Sequence, residues 1–126
     1  MNNPTELLYS KSHEWVALDG ATARIGITDY AQEAMGDIVF VDLPEKGDEV
    51  TVEESFAELE SVKAVAAVYS PVSGTVSAVN QSLLDAPETI NSDPYGAWLF
   101  RLANVTDTEN LLDAEAYIKF CEEEAH

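Results

Sequence analysis

A single cysteine, Cys121, leaves no partner for an intrachain disulfide and no cysteine pair for a metal site. Histidine is nearly as scarce: with only His13 and the terminal His126 available, a two-histidine metal site is not expected. Six Lys and Arg stand against 24 Asp and Glu, a formal net charge of −18 at pH 7. That balance repels phosphate backbones and anionic lipid and argues against nucleic-acid and membrane-surface roles. No apolar run approaches the ~20 residues of a membrane span; the longest, Val62 to Val68, is broken by Lys63. The opening Met1-Asn2-Asn3-Pro4-Thr5-Glu6 has neither a basic, apolar signal nor an Arg-rich transit pattern, so a cytoplasmic location is expected. No low-complexity linker divides the 126 residues, of which 46% are hydrophobic, and one domain over 1–126 with one core is the expectation.

What is present reads as short strands with frequent turns. Leu7 to Leu18 predicts one strand closed by the turn dipeptide Asp19-Gly20, with Ala21 to Ile27 returning. Asp29 to Met35 predicts a two-turn helix, capped by Thr28 or Asp29 and ended by Gly36. Asp37 to Leu43 is apolar enough to predict a strand buried on both faces. Glu49 to Val52, Phe56 to Glu60, Ala64 to Tyr69 and Thr75 to Asn80 follow as strands, with turns at Pro44–Asp48 and Ser70–Gly74. Leu83 to Tyr95, rich in Pro, Asn and Asp, predicts loop, and Ala97 to Leu102 one more strand. Thr106-x-x-Glu109 has the form of a capping box, and Leu111, Ala114, Ile118 and Cys121 recur at helical spacing, so a helix is expected over about 107–123 with a frayed run of Glu at its end. Trp15, Phe40, Tyr69 and Trp98 are the expected core aromatics; Gly36, Gly47, Pro71 and Gly74 are expected in turns and caps.

Of the four lysines, Lys11, Lys46 and Lys119 have ordinary surface settings. Lys63 stands between Val62 and Ala64-Val65-Ala66, where a strand pattern reverses, with Val50-Thr51-Val52 before and Thr75-Val76-Ser77 after forming a faint symmetry about it. A tight turn there presents an amine on a flexible stem with its base fixed, the geometry by which a modifying enzyme finds one lysine among several. A plain surface lysine on a hairpin fits the local residues equally well. Glu58 and Glu60 share one face of the incoming strand.

Glu60-Ser61-Val62-Lys63-Ala64 resembles the lipoyl-attachment motif of the glycine cleavage system H-protein family. Ser12-His13-Glu14-Trp15, Gly26-Ile27-Thr28-Asp29, Ala31-Gln32, Gly36 through Pro44, and Ser70-Pro71-Val72-Ser73-Gly74 resemble the same family in the same order, from about Tyr9 to the tail Tyr117–Glu124. The resemblance implies a mainly β fold of the lipoyl/biotinyl-type barrel-sandwich hybrid, with a short internal helix and a C-terminal helix. It implies a non-catalytic carrier, with lipoate joined to Lys63 and Glu60, Ser61, Val62 and Ala64 forming the attachment motif. The implied partners are a pyridoxal-phosphate glycine decarboxylase, a tetrahydrofolate-dependent aminomethyltransferase, dihydrolipoyl dehydrogenase and a lipoylating enzyme; a monomer is expected, since the arm must be free to reach different enzymes. It also places the acceptor for the loaded arm in Ser12-His13-Glu14, where Glu14 is the only carboxylate and Ser12 a helper. Two departures stand out: Tyr30 lies where relatives often carry His, and Asn91–Trp98 is one residue shorter than the usual pattern.

Other readings compete. Biotinylated domains usually carry Met on both sides of the lysine, whereas Val62 and Ala64 flank it here. Lipoyl domains of 2-oxo acid dehydrogenases usually carry Asp before the lysine and lack the N-terminal segment and C-terminal helix. Another class is an unmodified acidic binding module, such as a lipoate-relay relative that lost the glycine pathway. A small acid–base enzyme would use His13, Glu14 and Glu58, with no catalytic motif in support.

Overall fold

A polar turn splits the strand expected over Leu7–Leu18. In the computed structural model, which describes residues 3–124, Leu8–Tyr9 (β1) folds back antiparallel on Glu14–Asp19 (β2), setting Tyr9 opposite Trp15. Between them the Ser10 hydroxyl accepts the Glu14 N–H at 3.0 Å, the His13 N–H donates to the Ser10 carbonyl at 3.2 Å, and His13 sits at φ 72°. Serine side chains that bond their own backbone compete with a ladder, and here they win. Gly20, at φ 61°, turns the chain into Thr22–Ile27 (β3), paired with β2 from Glu14↔Ile27 to Asp19↔Thr22.

Asp29–Met35 (α1) forms as predicted: the Thr28 hydroxyl accepts the Ala31 N–H at 3.2 Å, and Gly36 ends the helix at φ 79°. Ile38–Asp42 (β4) corrects the expectation of a strand buried on both faces. Ile38 and Val41 are buried, but a bulge between Ile38 and Phe40 turns both Val39 and Phe40 outward. Glu49–Val50 (β5), Ser55–Ser61 (β6), Val65–Tyr69 (β7) and Ser73–Val79 (β8) follow. Gly74 belongs to β8 rather than to a turn; a Cβ there would stand 2.8 Å from the Ala103 carbonyl oxygen.

Three further expectations need correction. The Leu83–Tyr95 region holds two short helices, Ser82–Asp85 (α2) and Thr89–Ser92 (α3), which bury Leu83 and Ile90. The next strand is Phe100–Thr106 (β9), shifted past Ala97–Leu102, although the Leu99 N–H already bonds the Ile25 carbonyl at 2.7 Å. The last helix is Ala114–Glu124 (α4), not 107–123. Thr106 ends β9, Asp107 lies at φ 58°, and the Asp113 carboxylate accepts the Ala116 N–H at 2.8 Å, capping the helix. Paired backbone bonds between Tyr9 and Leu112 fix the chain just ahead of the helix against β1, with a turn at Glu109–Asn110 before them. The buried face of α4 carries Ala114 and Tyr117, while Ile118 is exposed.

The strands form a six-stranded sheet in the order β1-β2-β3-β9-β8-β5 and a three-stranded sheet β4-β6-β7, which do not close into a barrel. One apolar cluster joins them, with Val16, Ile25 and Leu102 from the first and Ile38, Val41 and Leu59 from the second. A second cluster seats α4 through Tyr9, Trp15, Ala114 and Tyr117, with Tyr9 and Tyr117 stacked at 4.6 Å. Of the expected core aromatics only Trp15 is fully buried; Phe40 and Tyr69 are exposed, and Trp98 packs half-buried against the second cluster. No helix among the described residues is long and apolar enough to cross a membrane.

Gly26 lies under the Trp15 indole, whose N–H donates to the Pro94 carbonyl at 3.0 Å. A Cβ at Gly26 would stand 2.6 Å from the ring. Gly26→Ala therefore forces the buried indole to move and is expected to cost about 1–3 kcal/mol. Thermal unfolding checks this, and an unchanged midpoint would contradict the packing.

Candidate functional site

The β6–β7 hairpin pairs Glu58↔Ala67, Leu59↔Ala66 and Glu60↔Val65, leaving Ser61 to Ala64 to make the turn. The Ser61 N–H donates to the Ala64 carbonyl at 2.8 Å. The Ser61 hydroxyl oxygen accepts the N–H groups of Lys63 at 3.2 Å and Ala64 at 3.0 Å. The Val62 N–H donates to the Asp37 carbonyl at 3.1 Å, which ties the tip to the start of β4. The backbone under Lys63 is thus pinned while Val62, Lys63 and Ala64 are exposed. Glu60 is half-buried and Glu58 exposed on the same face, as the alternation predicts. The symmetry about Lys63 is realised in β5 and β8, which pair outside the hairpin as Glu49↔Thr75 and Val50↔Gly74.

Beneath the lysine lies Gly36. A Cβ there would stand 3.2 Å from Lys63 Cε, and φ 79° disfavours any side chain. Asn91 holds this segment in place: its amide nitrogen donates to the Gly36 carbonyl at 2.9 Å and to Gln32 Oε1 at 3.0 Å, and its Oδ1 accepts the Ile38 N–H at 2.8 Å. The sequence reading missed Asn91. Its one signal was the position of an Asn in a Pro- and Asp-rich stretch, which reads as loop.

Glu14 is 2% exposed, so it is no surface carboxylate. Its Oε1 accepts the hydroxyls of Ser10 at 2.7 Å and Ser12 at 2.5 Å, and its Oε2 accepts the Tyr69 N–H at 3.3 Å. Burial disfavours the charged form more than these donors favour it, and the carboxyl is pushed up to about 7. Ser10, Ser12 and Tyr69 line a cleft of about 700 Å³, and Glu14 stands immediately behind them. Ser10 was not singled out in the sequence, and Tyr69 was read only as a core aromatic. Ser10 was visible only as one more polar residue of its turn, and Tyr69 acts through its backbone.

His13 does not bond Glu14. Its Nδ1 is 2.7 Å from the Tyr117 hydroxyl, its Nε2 is 2.7 Å from Glu124, and Tyr30 stacks on the ring at 4.5 Å and donates to the same Glu124 at 3.4 Å. Both ring nitrogens are engaged in clasping α4 to the turn. The side chains of His13 and Glu14 take different hydrogen-bond partners, neither of them Glu58, and no group of three or more potential metal ligands occurs among the described residues.

The Glu14 carboxyl has a folded value near 7 against an ordinary value of 4.5. Being raised, it contributes stability that is complete below pH 4.5 and lost as pH rises through 7. The loss is roughly 3 kcal/mol at 1.36 kcal/mol per unit. Glu14→Gln cannot titrate, so its unfolding free energy should fall less steeply than the parent's between those limits. Parallel curves from denaturant titrations across this range would remove the buried carboxyl as the cause.

A family model described as Glycine cleavage H-protein matches residues 7–124. The chain is 52% identical over 119 residues to a glycine cleavage system H protein of Lachnoclostridium phytofermentans, covering 94% of each. It is 53% identical over 129 aligned positions to that of Nitrosospira multiformis, covering 100% of each. The crystal structure of a glycine cleavage system H protein from Mycobacterium marinum superposes with a TM-score of 0.86 at 38% identity, covering 98% of this chain and 99% of that one. Matched along nearly its whole length in sequence and in fold, the chain belongs to the glycine cleavage H-protein family.

Proposed function

We propose that the protein is a non-catalytic, monomeric carrier of the glycine cleavage system, bearing lipoate in amide linkage on Lys63. The observation that carries this reading is the pinned turn: Lys63 projects from a backbone fixed by the Ser61 hydroxyl, over a glycine whose missing Cβ leaves room for its stem. Glu60, Ser61, Val62 and Ala64 form the segment that a lipoylating enzyme reads. Held on Lys63, lipoate would supply a dithiolane able to carry the aminomethyl group of glycine from the pyridoxal-phosphate decarboxylase, with reduction of the ring, to the tetrahydrofolate-dependent aminomethyltransferase, where ammonia would leave, and dihydrolipoyl dehydrogenase would restore the disulfide.

The remaining chemistry of the chain lies at the far end of β7, where the cleft opens. A protonated amine entering it meets Ser12 at the wall and Glu14 behind. A cation in such a place needs a charged acceptor. Its approach favours the ionised form of Glu14, so a carboxyl poised near 7 gives up its proton as the amine arrives. Shielding from water at the cleft protects a labile aminomethyl carbon.

Lys63→Arg keeps the charge and cannot be lipoylated. It should fold normally, gain no lipoyl mass when made with lipoate available, and lose glycine cleavage in a reconstituted system. Lipoate on Lys11 or Lys46, or full activity of the Arg variant, would overturn the assignment. Glu14→Gln should be lipoylated like the parent yet release formaldehyde faster once loaded and purified, because a charge-assisted bond of about 1.5–3 kcal/mol is weakened. Equal release rates would take Glu14 out of the carrier's chemistry and leave Lys63 untouched.

A further inference from the structure

Arg24 and Arg101 are the only arginines in the chain, and the larger sheet sets them directly opposite each other across β3 and β9. Their chain neighbours Ala23, Ile25, Phe100 and Leu102 are buried, so alternation puts both arginines on the outer face of that sheet. Residues opposed in this way have Cβ atoms about 5 Å apart. The row continues with Ala17 on one side and Ala78 on the other, side chains too short to meet either charge. Although the chain holds 24 carboxylates, neither arginine lies within ion-pair distance of one among the described residues. Two like charges abreast with no counter-charge weaken the pairing that holds them.

The two arginines, with Ala17, Leu18, Asp19 and Thr22, line a pocket of about 340 Å³. The Arg101 guanidinium lies 5.9 Å from the centre of the Trp98 ring, a contact that steadies a cation over an aromatic face. The Thr22 hydroxyl donates to the Asp19 carbonyl at 2.8 Å, which leaves the guanidinium groups as the side-chain donors of the pocket. Asp19 is the one carboxylate in the lining, and alternation along β2 puts it on the same face as Ala17. The pocket therefore combines two positive charges with a single acceptor at its edge.

We infer that this pocket is a binding site for inorganic hydrogen phosphate. The two charges of the dianion match the two guanidiniums, whose forked N–H groups suit phosphate oxygens. One oxygen of the ion carries a proton, and the Asp19 carboxylate accepts it. Sulfate has the same shape and charge but no proton, so it turns a bare oxygen on Asp19 and binds less well. The net charge of −18 opposes any anion from a distance, yet charges beyond about 8 Å are screened at physiological salt, whereas the arginines act at contact. Because the bound ion offsets the repulsion across β3 and β9, phosphate also raises the stability of the folded chain by mass action.

The test titrates the full chain with sodium phosphate above the second ionisation of phosphate, with ionic strength held constant by sodium chloride. The amide resonances of Thr22, Arg24 and Arg101 and the Trp98 indole N–H should shift and saturate together. Arg24→Gln and Arg101→Gln alter exposed side chains and should keep the parent's dispersed amide spectrum. Each should raise the half-saturating phosphate concentration tenfold or more. In chloride alone their unfolding midpoints should equal or exceed the parent's, since a like-charge pair is gone, and the rise in midpoint that phosphate gives the parent should vanish. Sulfate should need at least tenfold more than phosphate to half-saturate the parent, and Asp19→Asn should bring the two ions within twofold. Shifts that never saturate, or an unchanged half-saturation in both glutamine variants, overturn the site. Sulfate binding the parent as tightly as phosphate overturns the assignment of hydrogen phosphate.

Discussion

A serine hydroxyl that accepts two backbone N–H groups is the contact on which the Lys63 corner depends. Tight hairpins usually need Gly or Asn to reach their backbone angles, and Ser61-Val62-Lys63-Ala64 contains neither. The Ser61 side chain takes over, satisfying the N–H groups of Lys63 and Ala64 that the reversal leaves unpaired. The turn is then fastened to the body at Asp37, and the segment beneath is gripped by Asn91 at Gly36 and Ile38. A lysine stem has high rotamer entropy. Fixing only its base leaves that freedom available for reaching while removing uncertainty about where the reach begins.

The second organised region obeys the opposite rule, with burial in place of exposure. Glu14 is held by donors from three directions and still prefers its proton near neutrality, because the cost of desolvating the anion exceeds what those hydrogen bonds return. An arriving cation reverses that preference. The turn that supplies Ser10 and Ser12 is itself secured by His13, whose left-handed backbone is maintained by its bonds to Tyr117 and Glu124 and by the Tyr30 ring. The C-terminal helix thus positions the cleft without lining it. Tyr30, a departure from the family pattern in sequence, keeps an aromatic face on His13 and a hydroxyl on Glu124.

Local signals were legible in the sequence and distant ones were not. The helix over Asp29–Met35 was readable with its Thr28 cap, because a cap is a contact between neighbours. The hairpin around Lys63 was readable from alternation on both sides, although the role of the lysine came from a resemblance to a family rather than from spacing. The outward turn of Val39 and Phe40 was not readable, since a run of four apolar residues has no period to mark a bulge. The start of the last helix was misplaced because Thr106 and Glu109 offer a capping pattern that the pairing of β9 and of Tyr9 with Leu112 overrides. Glu14 could be named but not its burial, for the N–H that covers it belongs to Tyr69, 55 residues away.

The charge of the chain does little to hold this fold together. Among the described residues, with 24 carboxylates and six Lys and Arg, no Lys or Arg lies within ion-pair distance of a carboxylate, and the one contact of that kind joins the imidazole of His13 to Glu124. Two pairs of like charges are instead set abreast. Arg24 and Arg101, the only arginines, face each other across β3 and β9, while Asp42 and Glu58 face each other across β4 and β6. Both arrangements work against the sheets that contain them, so the apolar cluster between the sheets must carry the stability. The outer face of the three-stranded sheet thereby presents two adjacent carboxylates, Asp42 and Glu58, to any charged surface that approaches it. Field lines from a basic surface act over roughly a Debye length, about 8 Å at physiological salt. Within that range they turn such a molecule before contact is made. On the proposed carrier reading, such orientation during approach is what unpaired carboxylates beside the Lys63 hairpin contribute.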